Sequence, residues 1–513
     1  MKLFALAFFL SLGLCLWAQQ KQSLKTWGDQ GNGTYINPVL NADYSDPDVV
    51  RVGDDYYMIC SEFHFMGMPV LHSKDLVNWT IVSRIYDRID FDLAFNTNDR
   101  YAGGSWAPSI RYHDNKFWVY FCTIDEGLFM TTADKAEGPW DPLTQVVKID
   151  KWEDPCPFWD DDGQAYLIRS RHRAGPLIMH KMSADGKTLL DDGFTVYTGP
   201  VAEGPKMNKW NGYYYISIPE GGVAGGWQTV LRSKNVYGPY EKKVVLETGS
   251  TQINGPHQGS LIETSKGEWW FMHFQLVPQL GRVVHLQPMY WENDWPVIGV
   301  DIDRNGIGEP VFVWKKPDTE PQPMTFPQTS DNFDFAQLGF QWAWNHNPVD
   351  QSWSLEKNPG KLMLEALFAP DIMKARNTLT QKVMGNGGEA VVFLDGRQLA
   401  DGQKAGICMI SKPYALLGLK KEKGQLYLFT DINGEENLQK VSSSKIYLKL
   451  DISNKPDSNQ FYYSMDNKKF HALGQKFQLR FGHWKGPKIG LFSFNEIQDG
   501  GTALFDDFRY DFN

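Results

Sequence analysis

SIRYHDNKFWVYF (109–121) contains a short strand, a polar Asp-Asn turn and a strand rich in aromatic residues, and this hairpin decides the fold because it recurs. Runs of β-branched and aromatic residues that are separated by Gly, Asp or Asn predict strands joined by tight turns. The pattern returns at intervals of roughly 50–60 residues, in VVRVGDDYYMIC (49–60), PFWDDDGQAYLI (157–168), KMNKWNGYYYISI (206–218) and SLIETSKGEWWFMHF (260–274).

A second motif follows several of these hairpins, as HSKDLVNW (72–79), TTADKAEGPW (131–140) and RSKNVYGPY (232–240). Helical periodicity is nearly absent from the chain, so we predict an all-β protein. Repeated four-stranded units are typical of β-propellers, and five hairpins predict a five-bladed propeller over residues 28–316. A β-sandwich in which the hairpins match by coincidence is the alternative.

The chain changes character after this region. KKPDTEPQPMTFPQTS (315–330) is rich in proline and polar residues, and we place a linker at 317–330. The strands beyond it do not share the repeat, which predicts a separate β-sandwich over 331–513. Examples of these strands are KLMLEALF (361–368), EAVVFLD (389–395), LYLFTD (426–431) and SKIYLKLDI (444–452).

The first twenty residues, MKLFALAFFLSLGLCLWAQQ, resemble a secretory signal. Lys2 precedes an apolar run, and Ala18 offers a small residue for cleavage, so we predict a signal peptide over 1–18 and export to the periplasm or the outside of the cell. A lipid anchor on Cys15 is the alternative, although Leu14 fits that motif poorly. This run is too short for a typical membrane span, and no later segment is long and apolar enough. The remaining cysteines form no CxxC pair and are predicted to be buried free thiols.

Composition narrows the class of partner. The net charge is −10 and there is no basic run, which argues against a nucleic-acid binder. The chain contains 19 Trp, 22 Tyr and 31 Phe, whose flat rings suit the faces of sugars and also fill β-sheet cores. We therefore expect an oligosaccharide or polysaccharide partner. The sequence does not determine the oligomeric state.

Three acidic residues stand just before three of the hairpins: Asp46 in NADYSDPDVV, Asp154 in KWEDPCPFW and Glu203 in VAEGPKMNKW. Innermost propeller strands converge on one axis, so these side chains could meet there. Turn chemistry explains each acid taken alone, and a calcium loop at 41–50 would need EF-hand spacing that is missing. Glycoside hydrolysis needs two carboxyl groups, and a third nearby carboxylate raises the pKa of the acid.

These motifs resemble glycoside hydrolase family 43. The similarity covers roughly residues 30–315 and includes, besides the segments above, GGSWAPSIRYHDNKFWVYF, GPHQGSLIE and LGRVVHLQPMYWENDWPVIG. The second domain, with FQWAWNHNP (340–348), WSL (353–355) and ARNTLTQ (375–381), resembles the concanavalin-type sandwich of the β-xylosidase branch.

The resemblance implies an inverting mechanism. By motif, Asp46 would be the general base, Glu203 the general acid, and Asp154 the residue that raises the pKa of Glu203 and orients it. An inverting pair of carboxyl groups is expected about 6.5–9.5 Å apart, which leaves room for the attacking water.

The resemblance also suggests substrate contacts. Trp106 matches an aromatic that lines the channel, with core packing as the alternative, and Arg282 matches an arginine that contacts sugar hydroxyls, with a surface ion pair as the alternative. His257 matches a central histidine that contacts a water or calcium ion in some relatives, although a structural hydrogen bond explains it equally well. Phe63 and Phe65 occupy the place of an aromatic at the terminal sugar, but EFHFMGMP departs from the commoner pattern.

We therefore predict an exo-acting hydrolase that releases terminal xylose or arabinofuranose from hemicellulose or pectin side chains. The sandwich would close one end of the channel, which favours removal of single terminal residues. No cofactor is required, and a structural calcium remains open. The alternatives are another glycan, such as arabinan or arabinogalactan, and a carbohydrate-binding propeller without catalysis.

Overall fold

A computed structural model describes residues 26–64, 66–97, 100, 103–411, 413–455, 457–478, 480–482 and 484–513. The predicted signal peptide (1–18) and Phe65 lie outside these ranges. The described chain is built from β-strands, with two short 3₁₀ helices at Leu93–Asn96 and Asp350–Ser352. The prediction of an all-β protein is confirmed. Over the same ranges, the chain has no helix with the length and hydropathy needed to cross a membrane.

The first part of the described chain forms a propeller-like domain. Strands β1 (Gly28–Asp29) and β2 (Thr34–Ile36) come first and pair with each other, and β2 also pairs with β23 (Val313–Lys315). Between them, consecutive strands form five four-stranded antiparallel sheets. The strands of these sheets are β3 (Asp48–Val52), β4 (Asp55–Ile59), β5 (Gly67–Ser73) and β6 (Thr80–Tyr86); β7 (Trp106–His113), β8 (Lys116–Thr123), β9 (Gly127–Ala133) and β10 (Thr144–Val147); β11 (Trp152–Trp159), β12 (Ala165–Arg171), β13 (Leu177–Met182) and β14 (Phe194–Tyr197); β15 (Lys206–Trp210), β16 (Tyr213–Glu220), β17 (Trp227–Ser233) and β18 (Glu241–Leu246); β19 (His257–Glu263), β20 (Trp269–Val277), β21 (Gly281–Glu292) and β22 (Trp295–Ile298).

The sheets follow one another around a ring. Strand β3 contacts β7 and β19, β11 contacts β7 and β15, and β19 contacts β16 and β17. The second sheet therefore separates the first from the third, and the fifth sheet separates the first from the fourth.

Each sheet begins with a residue in the left-handed backbone region. These residues are Asp46, Ala107, Asp154, Gly204 and Gln258, with φ between +33° and +57°. Proline follows the first four and Gly259 follows the last. Successive side chains of a regular strand point to opposite faces, but a left-handed residue interrupts the ladder, as the register shifts at the start of β7, β11 and β19 show. Left-handed backbone is costly for residues other than glycine and is often found at functional sites.

A buried carboxylate ties the inner strands together at the axis. Asp48 is fully buried, accepts hydrogen bonds from Arg111 Nη1 at 2.7 Å and Ser260 Oγ at 2.5 Å, and has Lys206 Nζ at 3.7 Å. Burial alone would raise the pKa of Asp48, but the charges of Arg111 and Lys206 outweigh it and lower the pKa. Residues of four sheets thus meet at this one carboxylate.

The second part of the chain folds into two antiparallel sheets, apart from one parallel pair, β27 with β37. One sheet has the order β24-β28-β37-β30-β31-β32-β33, with β27 beside β37, and the other has the order β25-β26-β38-β29-β34-β35-β36. The strands are β24 (Ala343–Trp344), β25 (Trp353–Ser354), β26 (Leu362–Glu365), β27 (Leu367–Phe368), β28 (Leu379–Lys382), β29 (Gly387–Gln398), β30 (Gln403–Ile410), β31 (Ala415–Glu422), β32 (Gln425–Ile432), β33 (Glu435–Lys440), β34 (Lys445–Ser453), β35 (Asn459–Ser464), β36 (His471–Phe477), β37 (Lys488–Asn495) and β38 (Thr502–Phe512).

The two parts share one apolar core. Trp79 and Trp270 of the propeller-like domain belong to the same buried cluster as Trp342 and Leu491 of the sandwich. Residues 317–330, predicted as a linker, contain neither strand nor helix, and Phe326 packs its ring against Trp27 at 4.9 Å. The cysteines of the described chain are free and buried, as predicted: Cys60, Cys122, Cys156 and Cys408.

A buried charge cluster also joins the domains. Glu62, which lies between β4 and β5, accepts a hydrogen bond from Lys488 Nζ at 2.7 Å and lies 3.5 Å from Lys382 Nζ. His64 lies between Lys485 and Lys488, 3.1 Å from the latter. Burial alone would raise the pKa of Glu62, but Lys488 and Lys382 lower it to about 2. We call these five residues the interdomain lysine cluster.

We expect Glu62→Gln to lower the free energy of unfolding by about 3–5 kcal/mol, because removing one partner leaves buried ammonium groups without their counter-charge. The pH dependence has a definite sign. The native pKa lies below the ordinary value of 4.5, so the stabilisation is complete above pH 4.5 and is lost as pH falls towards 2. Denaturant titration at pH 7 and pH 3 measures both effects. Glu356→Gln, at an exposed position, is the matched control. An unchanged midpoint in Glu62→Gln would contradict this role.

Candidate active site

A cleft opens where the left-handed residues meet, and it encloses about 540 Å³ of space including open solvent. The predicted residues Asp46, Phe63, Trp106, Asp154, Glu203, His257 and Arg282 all line it. Phe65 lies outside the described residues. The cavity is completed by side chains that sequence reasoning did not single out: Ala107, Glu153, His172, Arg173, Val223, Gln258 and Trp484.

Asp46 is buried and fully hydrogen-bonded. Its Oδ1 accepts from Arg282 Nη1 at 2.7 Å, and its Oδ2 accepts from Ser61 Oγ at 2.5 Å and Ser45 Oγ at 3.0 Å. The guanidinium of Arg282 also lies over the Phe274 ring at 4.7 Å. Charge-assisted hydrogen bonds of this kind fix the position and orientation of the carboxylate. Arg282 therefore forms a buried ion pair, and the alternative of a surface pair is wrong.

Asp154 holds the turn that carries Glu203. Its Oδ2 accepts from the Gly204 backbone N–H at 2.8 Å and from Ser170 Oγ at 2.5 Å, and its Oδ1 lies 3.4 Å from Gln258 Nε2. Gly204 has φ +56°, and a Cβ at this position would lie 2.8 Å from the Gln258 side chain. Only glycine fits this turn without strain. The backbone bond from Gly204 thus connects Asp154 mechanically to Glu203.

Glu203 reaches the cavity beside a histidine. Its Oε1 lies 2.8 Å from His257 Nε2, and one fifth of its side chain is exposed. The other ring nitrogen of His257 is buried and has no hydrogen-bond partner among the described residues. His257 therefore fixes one oxygen of Glu203 and leaves the second free for a ligand.

Three carboxyl groups form a tight cluster. Oxygens of Glu153, Asp154 and Glu203 lie within 4.8 Å of one another. Burial and the charge of Asp154 raise the pKa of Glu153, and burial and the charge of Glu203 raise that of Asp154. Glu153 and Asp154 consequently retain protons at a pH at which isolated carboxyl groups would have lost them. Asp46 is not part of it and belongs to the sheet across the ring.

Sequence reasoning did not single out Glu153, which a regular strand would turn away from Asp154. The left-handed backbone of Asp154 and the bulge in β11 turn both side chains towards the cavity. The signal was present in the sequence. Four of the five left-handed positions, all except Asp46, directly follow another residue that lines the cavity, as in Trp106-Ala107-Pro108 and His257-Gln258-Gly259.

Aromatic rings form one wall of the cavity. Phe63 and Trp106 meet edge to face at 5.2 Å, and Trp106 contacts His172 at 5.6 Å and Trp484 at 6.2 Å. Trp106 Nε1 is buried and has no hydrogen-bond partner among the described residues. Apolar ring faces with an available donor suit a sugar, which presents C–H faces and hydroxyl groups.

Trp484 comes from the sandwich, on the segment just before β37. This segment is fixed to the propeller-like domain because the Gly486 N–H donates to Asp43 Oδ2 at 2.8 Å and the Phe481 N–H donates to the carbonyl of Pro278 at 2.8 Å. Asp43 Oδ1 accepts from the Arg282 backbone N–H at 2.8 Å. Asp43 thus holds both Arg282 and the sandwich segment that covers the cavity.

The acidic cluster also has the spacing of metal ligands. Oxygens of this cluster already accept hydrogen bonds from Ser170, Gly204 and Ala174. These hydrogen bonds favour proton sharing over ion binding. The free nitrogen of His257 fits a bound water or an ion, so the predicted contact there stays a prediction.

The comparisons with known proteins were made against this geometry. Residues 35–296 match the family model for glycosyl hydrolases family 43, and residues 330–511 match the model for the beta xylosidase C-terminal concanavalin A-like domain. A relative from Xylanibacter ruminicola is 52% identical over 467 residues, covering 91% of this chain and 87% of the relative.

Further similarities agree with these matches. The beta-xylosidase of Formosa agariphila is 38% identical over 96% of this chain and 93% of its own length. The non-reducing end alpha-L-arabinofuranosidase BoGH43B of Bacteroides ovatus is 32% identical, with 65% of each chain covered. The crystal structure of the GH43 protein BlXynB from Bacillus licheniformis superposes with a TM-score of 0.82 at 28% identity and covers 93% of this chain and 99% of that one.

Proposed function

Since this chain belongs to glycosyl hydrolases family 43, we propose that it is an exo-acting enzyme that releases terminal xylose or arabinofuranose from hemicellulose or pectin side chains. The resemblance stated from sequence motifs and the assignment as a glycoside hydrolase are confirmed. The substrate is proposed from the relatives named beta-xylosidase and alpha-L-arabinofuranosidase and from the aromatic pocket. In this proposal the five four-stranded sheets are the blades of one propeller.

The observation that carries the proposal is the placement of the carboxyl groups. Asp46 is paired with Arg282 on one side of the ring, and Glu203 lies beside Glu153 and Asp154 on the other. Asp46 accepts a proton from a water molecule, which attacks the anomeric carbon while Glu203 donates a proton to the glycosidic oxygen. Asp154 orients Glu203 through the Gly204 backbone. These steps use carboxyl groups and water alone and invert the anomeric configuration.

Exo action follows from the sandwich segment. Trp484 and Phe481 stand at the cavity beside Trp106 and Arg282. A pocket covered on one side accommodates the end of a glycan chain and excludes its continuation in that direction. We also propose that residues 1–18 direct export.

Hydrolysis of xylobiose followed by proton NMR tests this proposal. We expect α-xylose as the first anomer released, because the water attacks from the face opposite the leaving oxygen. Aryl xylosides, arabinofuranosides and galactosides, assayed in parallel, rank the sugar accepted in the pocket. Release of β-xylose first would contradict the inverting roles of Asp46 and Glu203. Absence of turnover on every pentoside would favour the carbohydrate-binding alternative.

A further inference from the structure

Glu153 supports a turn on the rim of the cavity. The turn consists of His172, Arg173 and Ala174 and directly follows β12. Arg173 and Ala174 both have left-handed backbones, with φ +69° and +64°. Two successive non-glycine residues in this region store strain that the surroundings must balance.

The carboxyl group of Glu153 supplies that balance. Its Oε1 accepts from the Ala174 backbone N–H at 3.4 Å, and its Oε2 lies 3.1 Å from His172 Nδ1. The backbone N–H of His172 also donates to the carbonyl of Lys151 at 2.9 Å. The turn is therefore held against the cavity by the strand that carries Glu153 and Asp154.

The protonation states fix which hydrogen His172 offers. Burial and the neighbouring charges of Asp154 and Glu203 raise the pKa of Glu153, which therefore carries a proton, whereas burial and Arg173 lower the pKa of His172, which is therefore neutral. A protonated Glu153 donates to Nδ1, and we assign the remaining imidazole hydrogen to Nε2. Nε2 has no hydrogen-bond partner in the described part of the chain, and His172 lines the cavity.

The turn lies on the side of the acid. Glu153 and Asp154 belong to the third sheet, whose second strand leads into the turn with His172, and Glu203 precedes the fourth sheet, whereas Asp46 precedes the first sheet across the ring. A general acid stands beside the oxygen of the leaving group. Groups next to Glu203 and away from Asp46 consequently face the sugar that is displaced.

We propose that the turn at 172–174, held by Glu153, binds the first sugar of the leaving glycan, and that His172 Nε2 donates to one of its hydroxyl groups. Glu153 acts as a positioning residue, since it holds the turn and does not itself contact the sugar. Arg173, exposed at the cavity mouth and without an ion-pair partner among the described residues, supplies further donors. This inference rests on the proposed function and adds the site that recognises the polymer.

Two substrates distinguish a role in binding the leaving sugar from a general effect on catalysis. Xylobiose places a sugar on the turn, whereas an aryl xyloside places a phenol there. We expect Glu153→Ala and His172→Ala to lower kcat/KM for xylobiose about 10- to 100-fold more than kcat/KM for the aryl xyloside, the loss that accompanies removal of one or two hydrogen bonds to a bound hydroxyl. Glu153→Gln should restore most of this ratio relative to Glu153→Ala, because an amide can donate to His172 and accept from Ala174 as a protonated carboxyl group does.

Arg171→Ala, at an exposed position beside the turn but outside the cavity, is the control for a lost positive charge and should leave the ratio unchanged. Equal losses on both substrates in Glu153→Ala would overturn the inference. So would a Glu153→Gln variant as impaired as Glu153→Ala with a shifted pH profile, because Glu153 would then act through its charge. Wild-type turnover of the aryl xyloside tests the proposed function by itself. The proposed function and the sugar-binding role of the turn can therefore be refuted independently.

Binding supplies a readout without turnover. In a Glu203→Gln background, calorimetry should show that xylobiose binds more tightly than xylose, and that adding Glu153→Ala removes this difference while xylose binding stays. Persistence of the difference would also overturn the inference.

Discussion

Asp46→Asn is expected to lower kcat about 10²- to 10⁴-fold on every pentoside tested, whatever the leaving group, because general-base catalysis contributes a factor of that order. The amide keeps the size of the side chain and removes its ability to take a proton from water. The loss is expected to be similar for every substrate, since the same water must be activated whichever leaving group it displaces. Initial rates on xylobiose and on an aryl xyloside measure this.

The variant also removes the negative partner of Arg282, which is buried. A thermal melt must therefore accompany the kinetics, so that loss of fold is distinguished from loss of base. Asp192→Asn, at an exposed aspartate on the rim of the third sheet, is the matched control and should leave both rate and melting temperature unchanged. A folded Asp46→Asn protein with activity within tenfold of wild type would remove Asp46 from the mechanism.

Glu203→Gln is expected to lower kcat on xylobiose about 10²- to 10⁴-fold as well, but far less on an aryl pentoside with an acidic phenol. A sugar alkoxide needs a proton in order to leave, whereas such a phenolate does not. Across a series of aryl xylosides, kcat is therefore expected to depend steeply on the pKa of the phenol in the variant and only weakly in the wild type.

Glu247→Gln, at an exposed position just after the last strand of the fourth sheet, serves as the control for this series. If the variant lost activity uniformly across the leaving groups, Glu203 would not be the acid. The contrast between a flat loss at Asp46 and a graded loss at Glu203 assigns the two roles independently of any structure.

Much of the site could be predicted from the sequence because propeller hairpins repeat. Asp46, Asp154 and Glu203 each precede a hairpin, and equivalent positions in a repeat become neighbours around an axis. Turn residues and aromatic strands encode this locally. Trp106 and His257, which begin two further inner strands, follow instead from the resemblance to the family.

Other members of the site could not be predicted in this way. Glu153 reaches the cavity only because Asp154 is left-handed, and a strand read as regular places it on the opposite face. Trp484 reaches the cavity through hydrogen bonds from the sandwich to Asp43 and Pro278, and nothing in the local sequence of the segment specifies that contact.

The sequence by itself determined the β-hairpins, the family and the three acids, because turn propensities and strand periodicity act over a few residues. Only the tertiary structure decided which carboxyl groups have raised pKa values, which arginine pairs with Asp46 and which residue of the sandwich covers the pocket. These properties depend on distances between residues far apart in the chain, and both burial and charge interactions are set by such distances rather than by sequence order.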